Sequence, residues 1–162
     1  SDRADVSLVK VNTPQPVKKV DLFDATAEMR VGNVVTVIGY PGVSPDVYVS
    51  TRSVDALSTE RRTIVIPDPT VTPGTIGRII RGNMNATQGT VFDYASGFGD
   101  TLQLTINETG AGNSGGPVFD DRGRVVAIYT YGRSDSGGTT VSFAVPIKYG
   151  LELMGTSAAV TN

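Results

Sequence analysis

The sequence predicts an all-β fold over one domain's length of chain. Its 162 residues include 19 glycines and 9 prolines, and these punctuate short runs rich in β-branched and aromatic residues. Hydrophobic residues make up 39% of the chain and charged residues 19%, a balance typical of globular proteins. A chain of this length is long enough to bury a hydrophobic core of its own.

Short runs of strand-forming residues alternate with turn residues along the chain. Strands are predicted at Val6–Val11, Val34–Tyr40, Thr63–Ile66, Thr75–Ile80, Thr90–Tyr94, Leu102–Ile106, Pro117–Phe119, Val125–Tyr131 and Val141–Val145. Turns are predicted at Tyr40–Gly42, Thr72–Gly74, Asp121–Gly123 and Ser136–Gly138. This repeated spacing of short strands and turns is what predicts the all-β class.

Helical signals are confined to two segments. Asp24–Arg30 is predicted as a short helical turn, and Lys148–Met154 is predicted as a helix because it follows Pro146 and can pack its apolar residues. The first strand, Val6–Val11, is followed by two prolines and two lysines, which indicates a strand and then a connector. Because one strand is not stable by itself, it must pair with the main body or with a partner outside the chain.

Charge and composition exclude several classes of function. The net charge is −2 and no basic run is longer than two residues, so nucleic acid and anionic membrane surfaces are not favoured as partners. No apolar stretch approaches the roughly 20 residues of a membrane-spanning helix. The chain has no cysteine, which excludes disulfides and cysteine-based zinc sites. No phosphate-binding loop is present, and the sequence predicts neither a cofactor nor a metal.

The segment Gly112–Pro117, Gly-Asn-Ser-Gly-Gly-Pro, carries the strongest chemical signal. Glycines around a serine allow the backbone to turn sharply and to approach a substrate closely. This segment resembles the sequence around the reactive serine of serine proteases, and the resemblance continues up to Ile128. It favours a nucleophile at Ser114 over the alternative, a glycine-rich hairpin with an incidental serine. A second serine-glycine segment, Ser134–Gly138, lacks the preceding glycine and the following proline, so it is predicted to be a loop.

Four segments occur in the order and with the character found in trypsin-like serine proteases of the HtrA/Deg type, which they resemble. They are Ala4–Val11, Val31–Gly42, Gly112–Ile128 and Ser142–Ile147. The resemblance implies an antiparallel Greek-key β-barrel, the C-terminal half of a trypsin-like double barrel. Residues 1–30 would then be a strand and linker from the first barrel, and residues 31–162 would form the C-terminal barrel, with 43–72 and 82–100 matching poorly.

The same resemblance implies roles for individual residues in a serine endopeptidase that works through an acyl-enzyme. Ser114 would be the nucleophile, and Asp5 would orient the base that takes its proton. The backbone N–H groups of Gly112 and Ser114 would form the oxyanion hole. For Asp5 the alternative is an ordinary cap at the start of a strand.

Substrate contacts are also implied by the resemblance. Thr130, Tyr131 and Gly132 fall where the family pairs an extended peptide with an exposed strand edge, so the expected partner is a peptide or an unfolded protein. Glu108, six residues before Ser114, falls where trypsin-like enzymes place the residue at the base of the S1 pocket. A carboxylate there would favour arginine or lysine before the scissile bond. The alternative, a solvated loop glutamate, is favoured.

The missing general base is the main puzzle. The chain has no histidine, although a Ser-His-Asp triad needs an imidazole to accept the serine proton. In the family the histidine precedes the aspartate segment, so the expectation is that it belongs to a missing N-terminal barrel segment and that this chain alone is inactive. The alternative is a catalytically dead pseudoprotease or a peptide-binding module with a protease fold. The family likeness favours the cell envelope or secretion.

Overall fold

The computed structural model describes residues 4–42, 47–52, 61–66, 68–82, 99–106, 111–138 and 140–155. Within these residues eight strands precede one helix. In chain order they are β1 (Val34–Gly39), β2 (Val47–Arg52), β3 (Arg61–Ile66), β4 (Thr70–Ile80), β5 (Thr101–Thr105), β6 (Pro117–Asp120), β7 (Val125–Ser134), β8 (Thr140–Pro146) and α1 (Lys148–Leu153).

Six of the strands close into an antiparallel barrel in the order β1-β4-β5-β8-β7-β6. The barrel closes where β6 pairs with β1, with Val118 opposite Val37. Register shifts interrupt the ladders in β4, β6 and β7, and such irregularities increase strand twist. The predicted all-β class and antiparallel barrel are confirmed. Strands β2 and β3 form a separate two-stranded sheet.

The interior of the barrel is filled by alternate side chains of its strands. In β1, Val35 and Val37 are each 1% exposed whereas Val34 is 57% exposed, which is the period of two expected when one face of a strand is buried. Tyr129 is also buried, and its hydroxyl donates a hydrogen bond to Ser142 Oγ at 3.4 Å. The remaining members of the core are Ala25, Met29, Ile76, Leu102, Leu104, Ile106, Val118, Val126, Ala127 and Ala144.

The chain before β1 covers part of the barrel. The N–H of Phe23 donates to the Val125 carbonyl at 3.0 Å, and the N–H of Met29 donates to the Ala25 carbonyl at 2.8 Å. The second bond closes the single helical turn predicted in this segment, and both Ala25 and Met29 join the core. The division of the chain at residue 30 remains a prediction.

The strand predicted at Val6–Val11 is wrong. The structure has no strand there, and the apolar residues Leu8 and Val11 are 60% and 71% exposed. A strand is stabilised by its ladder and by burial of one face, and no described strand forms a ladder with this segment. Only the beginning of the segment is held, because Ala4 and Val6 are buried.

The turn predicted at Thr72–Gly74 is also wrong, because these residues lie inside β4. Pro73 lies in the part of β4 that pairs with β1, whereas pairing with β5 begins at Thr75, so its missing N–H removes nothing from the second ladder. A Cβ on Gly74 would overlap the Ile106 side chain, so the glycine serves close packing and not a turn.

The other predicted strands within the described residues are confirmed, although β4 already begins at Thr70 and β7 continues to Ser134. The helix predicted at Lys148–Met154 is confirmed as α1. Strand β2 is not among the predicted strands, although its residues Val-Tyr-Val-Ser-Thr are good strand formers. The strand predicted at Thr90–Tyr94 lies outside the described residues.

Candidate active site

The segment around Ser114 forms the turn that leads into β6. This strand begins at Pro117 and lies between β7 and β1 in the barrel. Since both neighbours run antiparallel to it, its start lies beside Ile128 of β7 and close to the end of β1. Ser114 is exposed and therefore accessible at this end of the barrel.

Backbone hydrogen bonds hold the turn on its β7 side. The Gly115 N–H donates to the Tyr129 carbonyl at 2.8 Å, and the Tyr129 N–H donates to the Gly116 carbonyl at 2.9 Å. Within the turn the Gly116 N–H donates to the Asn113 carbonyl at 2.9 Å. Gly115 has φ +86°, a left-handed conformation that glycine adopts without a steric penalty. The shape of the turn thus rests on main-chain bonds.

On its other side the turn contacts the chain that leaves β1. The Gly42 N–H donates to the Ala111 carbonyl at 2.8 Å. Gly112 has φ +106°, and a Cβ there would overlap the Tyr40 carbonyl oxygen. Both its dihedral angle and its surroundings therefore require glycine at position 112.

Asn113, the residue before Ser114, is a site residue that the sequence analysis does not single out. It is 2% exposed, and a Cβ on Gly39 would overlap its Oδ1 atom. Its Nδ2 atom is buried and has no hydrogen-bond partner among the described residues. An unsatisfied buried donor costs about 1–3 kcal/mol. The only sequence signal is a polar residue between glycines, and it does not reveal burial.

Thr130, Tyr131 and Gly132 lie on a part of β7 that extends past the start of β6. The ladder between these two strands reaches Ile128 opposite Pro117, whereas pairing of β7 with β8 continues to the end of β7. This extension therefore begins beside the Ser114 turn and continues beyond the ladder between β6 and β7.

The extension of β7 is held from the β8 side. Thr130 Oγ1 donates to the Phe143 carbonyl at 3.2 Å, and the Tyr131 ring stacks on the Phe143 ring with centroids 4.7 Å apart. Gly132 adds no side chain, and a Cβ there would lie 3.2 Å from the Tyr129 hydroxyl. The extension is thus a supported strand that has no side chain at its third predicted contact residue, Gly132.

Asp5 is exposed and lies between two buried residues, Ala4 and Val6. The side chains that surround these two are Val145, Tyr149 and the half-buried Ile128. Because Ile128 is also the ladder partner of Pro117, the neighbours of Asp5 pack on the part of β7 that adjoins the start of β6. Glu108 lies outside the described residues.

The acidic groups with shifted pKa values serve structure and do not lie in this turn. Burial by itself raises the pKa of Asp100, but hydrogen bonds from Lys148 Nζ at 2.6 Å and the Gly82 N–H at 3.0 Å outweigh it and hold that pKa below its usual range. Burial lowers the pKa of Lys148, but the hydrogen bond and charge of Asp100, together with Tyr149, outweigh this and raise it. The described residues hold no group of three or more acidic, histidine or cysteine side chains suited to a metal ion.

A cavity of about 460 Å³ opens at the other end of β6. Its lining includes Met29, Val35, Asp120 and Arg124, and Arg124 forms an ion pair with Asp120 at 2.7 Å. Burial by itself raises the pKa of Asp120, but hydrogen bonds from the Arg124 and Arg122 backbone and from the Arg124 side chain lower it overall. None of the predicted site residues lines this cavity, so the candidate active site is a surface turn beside a strand edge.

A family comparison identifies the class of protein to which this barrel and this turn belong. A family model described as a trypsin-like peptidase domain matches residues 1–128. The chain therefore belongs to the trypsin-like peptidases.

Within that class the relatives are of the HtrA type. A probable periplasmic DegP-like serine endoprotease of Bartonella henselae is 30% identical over 146 residues, which is 89% of this chain and 22% of that protein. Two solved structures of a variant of the HtrA-type protease AlgW are also similar. The one with a decapeptide has a TM-score of 0.52 at 27% identity and covers 85% of this chain and 32% of that chain. The one with a tripeptide has a TM-score of 0.61 at 24% identity, and the match covers 98% of this chain and 42% of that chain.

The resemblance to HtrA-type serine proteases is thus confirmed, and the chain spans less than half the length of these relatives. In the part of the chain that the structure describes, no helix has the length and apolar character needed to cross a membrane.

Proposed function

We propose that this chain is the nucleophile-bearing barrel of a serine endopeptidase that acts on peptides or unfolded proteins. The observation that carries the proposal is the exposed Ser114 on a glycine turn fixed by main-chain bonds to β7 on one side and to the chain after β1 on the other. The peptides in the AlgW structures support a peptide substrate for a relative of this chain.

In the proposed reaction Ser114 Oγ attacks the carbonyl carbon of the scissile bond while its proton passes to a base. The carbonyl oxygen gains negative charge, which the N–H groups of Gly112 and Ser114 stabilise; one such donor is typically worth about 10²–10³ in rate. Collapse of the intermediate transfers the proton to the leaving amine and leaves an ester on Ser114. Water then attacks the ester while the base takes its proton, and collapse of the second intermediate breaks the bond to Ser114 Oγ, which receives that proton.

The base is supplied from outside these residues, because the 162-residue chain contains no histidine. In this proposal Asp5 orients the incoming imidazole, and residues 1–30 belong with the barrel that carries it. Support comes from the packing of Ala4 and Val6 beside Ile128, next to the start of β6. The chain alone then lacks peptidase activity, although loss of one triad member leaves about 10³–10⁴ over water from the rest of the site.

A fluorophosphonate probe tests the proposal, because it phosphonylates activated serines with release of fluoride. We expect the longer protein that carries this barrel to be labelled, and Ser114→Ala to abolish both labelling and hydrolysis of a peptide substrate. Ser136→Ala is the matched control, since Ser136 lies in the Ser134–Gly138 loop and should leave both signals unchanged.

Two outcomes contradict the proposal. If the longer protein is not labelled and does not cleave peptides but still binds them, the chain belongs to a peptide-binding module with a protease fold. If the 162-residue chain alone turns over peptides at ordinary protease rates, and Ser114→Ala abolishes this activity, then a base within the chain serves Ser114.

A further inference from the structure

Strands β2 and β3 form a ribbon that lies outside the barrel. Its register places Val49 opposite Ile64 and Tyr48 opposite Val65. Apolar residues of both faces are exposed, with Val49 at 37%, Ile64 at 47%, Val65 at 48% and Tyr48 at 64%. Two strands alone are only marginally stable in water, and contiguous exposed apolar surface commonly marks a site of interaction.

The ribbon is inserted at the end of the barrel that carries Ser114. Gly39 at the end of β1 and Thr70 at the start of β4 are register partners, so the inserted chain leaves and re-enters the barrel at one place. Its first residues contact the nucleophile turn through the Gly42 N–H and the Ala111 carbonyl. Val47 follows Gly42 by five residues, a reach of at most about 17 Å at roughly 3.4 Å per residue.

The nucleophile turn therefore lies between two different structures. Because β6 lies between β7 and β1, the extension Thr130–Gly132 borders the turn on one side. Tyr40–Gly42, from which the chain continues to the ribbon, borders it on the other. A polypeptide that pairs with the β7 extension and passes over Ser114 continues towards Tyr40–Gly42 and the ribbon.

The composition of the ribbon indicates what it fits. Its two strands carry Arg52, Arg61 and Arg62 and no acidic residue, and Arg52 and Arg61 are register partners. A strand pair that carries three arginines and no acidic residue is complementary in charge to an anionic partner. An extended polypeptide can add to a strand edge through its backbone and place side chains against exposed apolar residues.

We propose that the β2–β3 ribbon binds the part of a polypeptide substrate that follows the scissile bond, and that it favours segments that combine apolar and acidic residues. This inference rests on the proposed function, since it takes Ser114 as the point of cleavage. It makes the ribbon a determinant of substrate selection for this barrel.

The test compares two substrates of the longer protein that share all residues before the scissile bond. One ends in a chromogenic amide, and the other continues for about six alternating valine and glutamate residues, enough to span one strand of the ribbon. In the double variant Val49→Thr/Ile64→Thr, which keeps strand-forming residues, we expect KM for the extended substrate to rise about tenfold. Hydrolysis of the chromogenic amide should not change.

Val34→Thr is the matched control, because Val34 is 57% exposed in β1 at the end of the barrel away from Ser114. It should leave both substrates unaffected. Replacement of the glutamates by lysines should weaken the extended substrate in the parent protein by a similar factor. Equal effects of the double variant on both substrates, or no effect on either, would overturn the inference.

Failure of the proposed function gives a different result. If Ser114→Ala does not abolish hydrolysis, the nucleophile is wrong, and the ribbon is then tested by fluorescence anisotropy with the labelled valine-glutamate peptide. Loss of peptide binding in the double variant, but not in Val34→Thr, supports the ribbon as its site; unchanged binding overturns it. If the double variant instead turns an oligomer into a monomer in sedimentation and leaves hydrolysis of the extended substrate unchanged, the ribbon binds a second copy and the inference is wrong.

Discussion

At the scale of single residues, the nucleophile turn depends on the lack of a side chain at Gly112 as well as on the exposed Ser114. The positive φ of Gly112 and the nearby Tyr40 carbonyl leave no room for a side chain. The buried Asn113 packs against Gly39 in the same way. The end of β1 and the turn are thus fitted to each other by missing Cβ atoms, and the geometry of the site depends on the strand that ends beside it.

Gly112→Ala should lower both stability and activity. The positive φ alone costs about 1–2 kcal/mol for a residue with a Cβ, and the overlap with Tyr40 adds to it, so we expect a total loss of about 3 kcal/mol or more in urea unfolding. Gly123→Ala is the control, because Gly123 has φ +76° with open space around its Cβ position. It should cost only the dihedral penalty and leave fluorophosphonate labelling unchanged. Equal losses in the two variants would show that contact with Tyr40 is unimportant.

At the scale of elements, one carboxylate joins the helix to two strands. Asp100, just before β5, accepts hydrogen bonds from Lys148 in α1 and from the Gly82 N–H just after β4, and its own N–H donates to the Tyr149 hydroxyl at 2.7 Å. Tyr149 also packs on Val6. The short helix is therefore part of the same assembly that holds the N-terminal segment against the barrel.

Asp100→Asn should reduce the free energy of unfolding at neutral pH by about 1–3 kcal/mol, because it leaves the Lys148 charge without its counterion. Since the pKa of Asp100 is lower in the folded protein, its contribution is present above the unfolded pKa of about 3.9. It is lost as the pH falls through the folded value. The difference between variant and parent should therefore shrink below about pH 4. The exposed Asp121→Asn is the control, and a pH-independent difference for Asp100→Asn would contradict this account.

The sequence predicts those elements whose stability is local or whose pattern is periodic. For strand β7 and helix α1, the flanking turn residues and the spacing of apolar residues are visible in the sequence, and both elements are confirmed. Val6–Val11 has the composition of a strand but no ladder partner, and pairing is a tertiary property that composition does not contain. The Ser114 turn can be predicted from its glycines. The burial of Asn113 cannot, because it depends on contact with Gly39, which is remote in sequence.

At the scale of the whole molecule, the closed barrel and the N-terminal arm differ in how they are held. The barrel strands pair on both sides and enclose one core. Residues 7–20 of the arm are exposed throughout, between the buried Ala4 and Val6 at one end and the Phe23 bond at the other. Stability should therefore be uneven along the chain.

Hydrogen exchange should divide the chain accordingly. We expect amides of residues 7–20 to exchange close to their intrinsic rates, and those of Val35, Val37, Val126 and Tyr129 to exchange only by global unfolding. Exchange followed by mass spectrometry or NMR in dilute solution checks this. Strong protection of residues 7–11 at monomer concentrations would give that segment a place in this chain's own fold, and would contradict its assignment to another barrel.

The paired ends of the insertion between β1 and β4 have a consequence for how such a barrel diversifies. Gly39 and Thr70 are ladder partners, so chain can be added or removed between them without moving either strand, and the entropy of closing the loop grows only with the logarithm of its length. Evolution or protein engineering can therefore replace the inserted segment between these two strands as a unit. The exchange has to begin after Gly42, because the residues up to that point hold the nucleophile turn. Substrate selectivity can then change without any change in the position of Ser114.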